Sequence, residues 1–216
     1  MLSTIHNESI KVVGCGRTDT AVHASDYFLH VDLPDKFDLP TLQYKMNNML
    51  SKSISIYDIL PVDKEAHARF DAVSRSYTYK MVFGKNPFRL ETLYRYDQSG
   101  RPDFEMMNRA AQLLLDYKEF FPFCKTHADN ETYFCSLSVS EWRKVSESEW
   151  HFHITSDRFL RGMVRLIVGM TLNVGLGRLP LEEVRRVMDN QTRIEKAWSV
   201  PAHGLFLSEI TYPYIS

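Results

Sequence analysis

The chain has no run of about 18 consecutive apolar residues, which by hydropathy excludes a membrane-spanning helix. Its opening residues include Thr4, His6, Asn7, Glu8 and Ser9 where a basic stretch and an apolar core would stand, so no signal peptide is expected. Glycine and proline number nine each among 216 residues, too few for a collagen-like or low-complexity chain. Cysteine is scarce: Cys15, Cys124 and Cys135 leave an odd thiol and share no paired spacing, which suits a reducing compartment. Neither sign of charge dominates, since 26 Lys and Arg against 27 Asp and Glu give a net charge of −1. That balance neither implies nor excludes a nucleic-acid partner, because such binding depends on a local patch. Together these absences predict a soluble, cytoplasmic protein with no membrane partner.

What is present is a globular composition, 44% hydrophobic and 25% charged, in a chain long enough to fold without a metal or disulfide staple. Alternating and β-branched or aromatic runs predict strands at 11–13, 27–31, 54–56, 74–83, 137–143, 150–155 and 205–212. Helical spacing predicts helices at 40–50, 104–118, 159–174 and 184–188, with Asp103 as an N-cap. This order implies an α+β protein of two α/β sandwiches whose sheets are mostly antiparallel. Gly84-Lys-Asn-Pro87 breaks the pattern and opens a segment rich in Tyr, Arg, Gly and Pro, which puts a domain boundary there: residues 1–84 and 85–216.

The densest polar cluster is Gly14-Cys-Gly-Arg-Thr-Asp-Thr-Ala-Val-His-Ala24. It is not a dinucleotide fingerprint, because Asp19 occupies the third glycine's place and would oppose a pyrophosphate. It lacks the ending of a P-loop, and the chain has no His-Glu-x-x-His or Gly-x-Ser-x-Gly. A metal-like grouping joins Cys124, His127 and Cys135, with His151 and His153 two apart, but zinc would want a second tight pair; free thiols and surface histidines account for it better.

There remains a carboxylate flanked by a cation, Arg17 before Asp19, on a strand-to-loop corner. Taken alone this reads as readily as an Asx-turn with a surface ion pair. Further on, His67-Ala-Arg69-Phe70 precedes a strand that presents Arg75, Tyr77 and Tyr79 on one face. An arginine beside aromatics can hold an unstacked base, and the same pattern fits aromatics packed on a core. Arg158, Arg161, Arg165 and Arg178 against the single acid Asp157 form a candidate basic patch.

The Gly-x-Gly-Arg-Thr-Asp-x-x-Val-His-Ala run resembles the catalytic loop of the tRNA pseudouridine synthase A family. The pieces that follow resemble that family in the same order. They are His-Ala-Arg-Phe70, Arg75-x-Tyr77-x-Tyr79, Phe159-Leu-x-x-Met163-Val-Arg165, Val174-Gly-x-Gly177 and Pro201-Ala-x-Gly204-Leu-x-Leu207. The likeness runs from about Val12 to Tyr212. It implies a pseudouridine synthase fold, two ferredoxin-like halves with a joined sheet and a central cleft. It implies isomerisation of uridine to pseudouridine in the anticodon stem-loop of tRNA, at tRNA positions 38 to 40, by a homodimer with no cofactor and no metal. By resemblance, Asp19 is the catalytic nucleophile, Arg165 the basic residue paired with it, and Tyr77 the tyrosine that packs on the target base. Arg17, His23 and Arg69 fall among the substrate-binding residues.

The chemistry agrees. Moving the glycosidic bond from N1 to C5 needs a group that meets a cationic C1′ or adds at C6, or one that removes a sugar proton, and a base for the C5 proton. An ionised carboxylate suits each of the first roles, and a cationic neighbour favours its ionised form. The target base must leave its stack, which stacking on Tyr77 and insertion of an arginine offset.

The resemblance also marks departures. The family's opening strand with a Tyr-Asp-Gly-Thr-type stretch, its Gly-Trp-Gln motif and most of the first helix have no counterpart before Asp19, which lies 18 residues after Met1. Thr20-Ala21 stands where Ala-Gly is usual, putting a Cβ into a loop that favours glycine. Asp26-Tyr27 replaces Gly-Gln, and Gly162 replaces a bulkier residue. The alternative from another class is a tRNA-binding module without turnover.

Overall fold

The computed structural model describes residues 2–33, 38–126, 131–195 and 197–215. In chain order its helices and strands are α1 (Leu2–His6), β1 (Val12–Gly14), β2 (His23–Ala24), β3 (Leu29–Val31), α2 (Leu39–Met49), β4 (Ser74–Phe83), β5 (Tyr94–Tyr96), α3 (Phe104–Leu113), β6 (Leu137–Lys144), β7 (Glu149–Ser156), α4 (Met163–Gly175), α5 (Leu181–Asp189) and β8 (Leu205–Thr211). Contacts group the chain into two units. One comprises Met1–Gly16, Phe28–Asp71 and Pro213–Ser216, and the other Arg17–Tyr27 and Ala72–Tyr212.

The larger unit is organised by β4. Its ten residues alternate with β-branched and aromatic side chains, which suits a strand with neighbours on both edges. Along one edge β4 pairs antiparallel with β7 over Arg75–Val82; along the other it pairs antiparallel with β8 and then parallel with β5. β6 continues beyond β7, and β2 lies parallel to β8, giving a mixed, mostly antiparallel sheet in the order β2-β8-β4-β7-β6. Tyr79 and Met81 project from one face of β4, and both are fully buried with Phe152 and Ile154 of β7. Against them pack Met107, Ala110 and Ala111 at the helical spacing of α3, Leu114 just after it, and Met163, Ile167, Val168 and Leu172 of α4. Each large side chain so buried contributes roughly 1.5–3 kcal/mol relative to exposure. Asp103 caps α3 by accepting hydrogen bonds from the amides of Glu105 and Met106, as its position in the sequence predicts.

The smaller unit contains the antiparallel pair β1–β3, Val12 opposite Val31, and the helices α1 and α2. Its core is small: Leu2, Leu42 and Met46 are buried, with Ile5, Ile10, Val31, Leu33, Ile56 and Ile59 half-covering them.

The mixed α+β class and the long strands stand where the sequence places them. No element was expected at α1 or β2, and the helix expected over 104–118 ends at Leu113 and tightens into a 3-10 turn over Leu114–Asp116. Three further differences have a visible cause. Residues 54–56 form no strand, because a side chain of α2 takes the backbone of Ile56 instead. Asn47 Oδ1 accepts from the Ile56 amide at 2.7 Å, and Asn47 Nδ2 donates to the Ile56 carbonyl at 2.9 Å, with Gln43 Nε2 donating to the next carbonyl, Tyr57, at 2.6 Å. The predicted helix at 159–174 starts only at Met163, since Gly162 takes φ 74°, the left-handed region, and ends the preceding turn. A residue with a Cβ is strained there, so the glycine at this departure from the family pattern suits its backbone. β5, in the segment after Gly84 where no strand was expected, is a strand through its parallel pairing of Tyr94 with Met81.

Candidate active site

The Gly14–Ala24 run leaves β1 and turns sharply. The Val22 amide donates to the Asp19 carbonyl at 3.1 Å, and Ala21 adopts φ 66°. A left-handed alanine costs about 1–2 kcal/mol, the strain the Ala-for-Gly departure leads one to expect. The turn delivers Asp19 to Arg165 in the first turn of α4: Arg165 Nη1 donates to Asp19 Oδ2 at 3.0 Å. The pair is partly sheltered, with 29% of the aspartate side chain and 21% of the arginine's exposed, which strengthens it relative to an open surface pair. Arg165 is itself held, its Nε donating to the Val200 carbonyl at 2.7 Å.

His23, in β2, stacks on Phe206 with ring centroids 4.7 Å apart, and its Nε2 lies 2.7 Å from the Glu91 carbonyl. Tyr77 meets Phe159 edge to face at 5.1 Å, in the loop that leads into the helix carrying Arg165. Arg17 is exposed two residues before Asp19. Asp19, Arg165, Tyr77, His23 and Arg17 thus fall in one unit, whereas Arg69 belongs to the other, exposed beside Phe70 with its guanidinium carbon 5.7 Å from that ring.

The structure decides between the two readings of Tyr79 and corrects that of the basic patch. Tyr79 lies deeper than Tyr77, which packs half-buried on the same core. Tyr79 is fully buried, and its hydroxyl donates to the Pro201 carbonyl at 3.0 Å, so aromatic packing on a core is the right account of it. The four arginines do not form one patch. Arg178 lies past the far end of α4, about 15 Å of helix from Arg165, and donates to Gln98 Oε1.

Of the metal-like grouping, His127 lies outside the described residues, while Cys124 and Cys135 are buried, and burial pushes the Cys135 thiol up to about 11. Among the described residues no group of three or more His, Cys, Asp or Glu could hold a metal ion, and no helix is long and apolar enough to cross a membrane. A cavity of about 280 Å³ is lined by Arg89, Arg95, Tyr94 and His203, and Asp19 is not part of its lining.

Sequence reasoning missed Val200 and Glu91. Both act through backbone carbonyls, which leave no side-chain signature. Tyr79's polar end was legible only as part of an alternating strand.

The mixed sheet, with a carboxylate–guanidinium pair held at the mouth of its long helix, defines a protein of the pseudouridine synthase fold. A family model described as tRNA pseudouridine synthase matches residues 110–213. The tRNA pseudouridine synthase A of Bacteroides thetaiotaomicron is 43% identical over 214 residues, 98% of this chain and 79% of that protein. That of Parabacteroides distasonis is 44% identical over 98% of this chain and 83% of its own length, and that of Bacillus subtilis 30% identical over 98% and 86%. The chain belongs to the tRNA pseudouridine synthase family, a family of isomerases.

Proposed function

We propose that this protein converts uridine to pseudouridine in the anticodon stem-loop of tRNA, at positions 38 to 40, as a cytoplasmic homodimer. Asp19 is the nucleophile, Arg165 pairs with it and aims it, and Tyr77 packs on the target base. Arg17 and His23 bind the RNA beside it, and Arg69 is a further RNA-binding residue. The observation that carries this reading is the 3.0 Å ion pair between Asp19 and Arg165, residues 146 apart in the chain and each in a motif of the family. The protein's two ferredoxin-like halves are residues 1–84 and 85–216.

In this mechanism the uridine leaves its stack and packs on Tyr77. The C1′–N1 bond breaks with its electron pair going to the base, and the Asp19 carboxylate bonds to the cationic C1′. The base turns to present C5, which attacks C1′ and displaces the carboxylate. A base takes the C5 proton, and N1, which kept the electron pair, takes up a proton, which restores the conjugated ring. No atom is gained and no electron leaves, so the reaction calls on neither an electron carrier nor a co-substrate.

The test is tritium release from 5-tritiated uridine in an unmodified tRNA transcript. Release by the parent and none by Asp19→Asn supports the synthase. No release from a folded parent that still binds tRNA identifies a binding module instead.

A further inference from the structure

Resting on the reading above, we propose that Tyr79 is a positioning residue for the Asp19–Arg165 pair, acting through the backbone of Val200 and Pro201. Arg165 makes two bonds from one rigid plane: Nε to the Val200 carbonyl at 2.7 Å and Nη1 to Asp19 Oδ2 at 3.0 Å. Because the guanidinium is planar and its donors are fixed relative to one another, the first bond sets the direction of the second. The place of the Val200 carbonyl therefore decides how Arg165 meets the carboxylate.

Val200 sits in an irregular segment with no sheet ladder to hold it. Its amide donates to the Arg165 carbonyl at 3.3 Å, a tie back to the residue it orients and not to an independent support. Independent support comes from the sheet. Tyr79 opposes Phe152 on one side and Leu205 on the other in the middle of β4, is fully buried, and donates its hydroxyl to Pro201, the next residue.

The surrounding fit is close on both sides of this tie. A Cβ on Gly204 would stand 2.9 Å from Tyr79 Cζ, and one on Gly169 would stand 1.8 Å from the Trp198 carbonyl oxygen. The segment is seated on α4 at Trp198 and on the Tyr79 ring at Gly204, with the hydroxyl bond to Pro201 between them. Burial and the neighbouring Tyr94 raise the phenol's pKa, so the hydroxyl stays a donor, and Arg165 is near enough for its charge to oppose that rise. The tie lies next to the guanidinium it serves.

Tyr79→Phe removes one oxygen and leaves the ring that packs on Gly204. Four readouts apply to the parent, Tyr79→Phe, Arg165→Lys and the double variant: thermal melting, tRNA affinity, the single-turnover rate of tritium release, and the Arg165 Nε–H signal in a nitrogen-15 NMR spectrum. That signal is identified by its loss in Arg165→Lys. In Tyr79→Phe we expect it to shift and exchange faster with water, and the rate to fall about fivefold, the value of one neutral hydrogen bond, while tRNA affinity is kept. In the Arg165→Lys background, where the two-pronged grip is already gone, Tyr79→Phe lowers the rate no further.

An unmoved Nε–H signal overturns the proposal. So does a rate loss that is undiminished in the Arg165→Lys background, or one matched by an equal loss of affinity. A parent chain that releases no tritium counts against the proposed activity alone, and the NMR signal then decides the role of Tyr79 by itself.

Discussion

Arg165 Nη1 reaches Asp19 Oδ2 at 3.0 Å while Arg165 Nε is committed to the Val200 carbonyl, so the arginine is a bracket between the loop and the Val200 segment. A lysine in its place has one point of charge and no fork, and an alanine has neither. Arg165→Ala should lower the single-turnover rate of tritium release by roughly 10- to 100-fold, the value of a charge-assisted hydrogen bond. Arg165→Lys should fall between that variant and the parent. Equal rates for Arg165→Ala and the parent would remove the pair from the mechanism.

Ala21 offers a gain of stability without touching the pair. At φ 66° its Cβ crowds the backbone, and glycine relieves this at the cost of a more flexible unfolded chain. Ala21→Gly should raise stability by up to about 1 kcal/mol, read as a higher midpoint in urea with an unchanged slope. A midpoint that falls would show that the turn tolerates alanine without strain.

The extent to which this was readable from sequence follows from what each feature is made of. β4 was legible end to end because it alternates Tyr, Thr, Tyr, Lys, Met and Val with partners on both edges. The strain at Ala21 was legible because a glycine-favouring turn with a Cβ in it is a local property. The start of α4 was not, because Phe159 and Leu160 continue the apolar run and only the left-handed Gly162 separates them from the helix. Residues 54–56 misled for the opposite reason: their alternation is real, but Asn47 and Gln43 take the backbone groups a neighbouring strand would have used. In the site, Asp19 and Arg165 were named by motif, whereas the support of Arg165 by a main-chain carbonyl has no residue type to announce it.

Gly169 tests the seating of the Val200 segment from the helix side. A methyl group there would lie 1.8 Å from the Trp198 carbonyl oxygen and 2.8 Å from its carbon, backbone atoms that have to move. Gly169→Ala should cost about 1–3 kcal/mol as overpacking, in spite of alanine's better helix propensity. It should also lower the tritium-release rate, because Val200 moves with Trp198. A variant as stable and as active as the parent would show that the segment shifts freely without disturbing Arg165.

The last prediction concerns acid. His151 and His153 alternate along β7 on the face opposite the Tyr79 core, and burial lowers the pKa of both below the ordinary 6.5. For His151 this desolvation, helped by the charges of Lys80 and Arg89, outweighs the pull of Glu149, whose Oε1 lies 2.7 Å from Nε2. For His153, Arg143 adds to the same direction. The folded protein therefore resists protonation at two positions that the unfolded chain protonates readily. The unfolded state binds more protons below about pH 6.5, so stability is complete above that pH and declines as the pH falls toward the lowered folded values. Thermal midpoints should drop between about pH 7 and pH 5.5 in the parent, and the drop should be smaller in a His151→Gln, His153→Gln double variant. An equal drop in both proteins would assign the acid sensitivity to other groups and leave these histidines without a part in it.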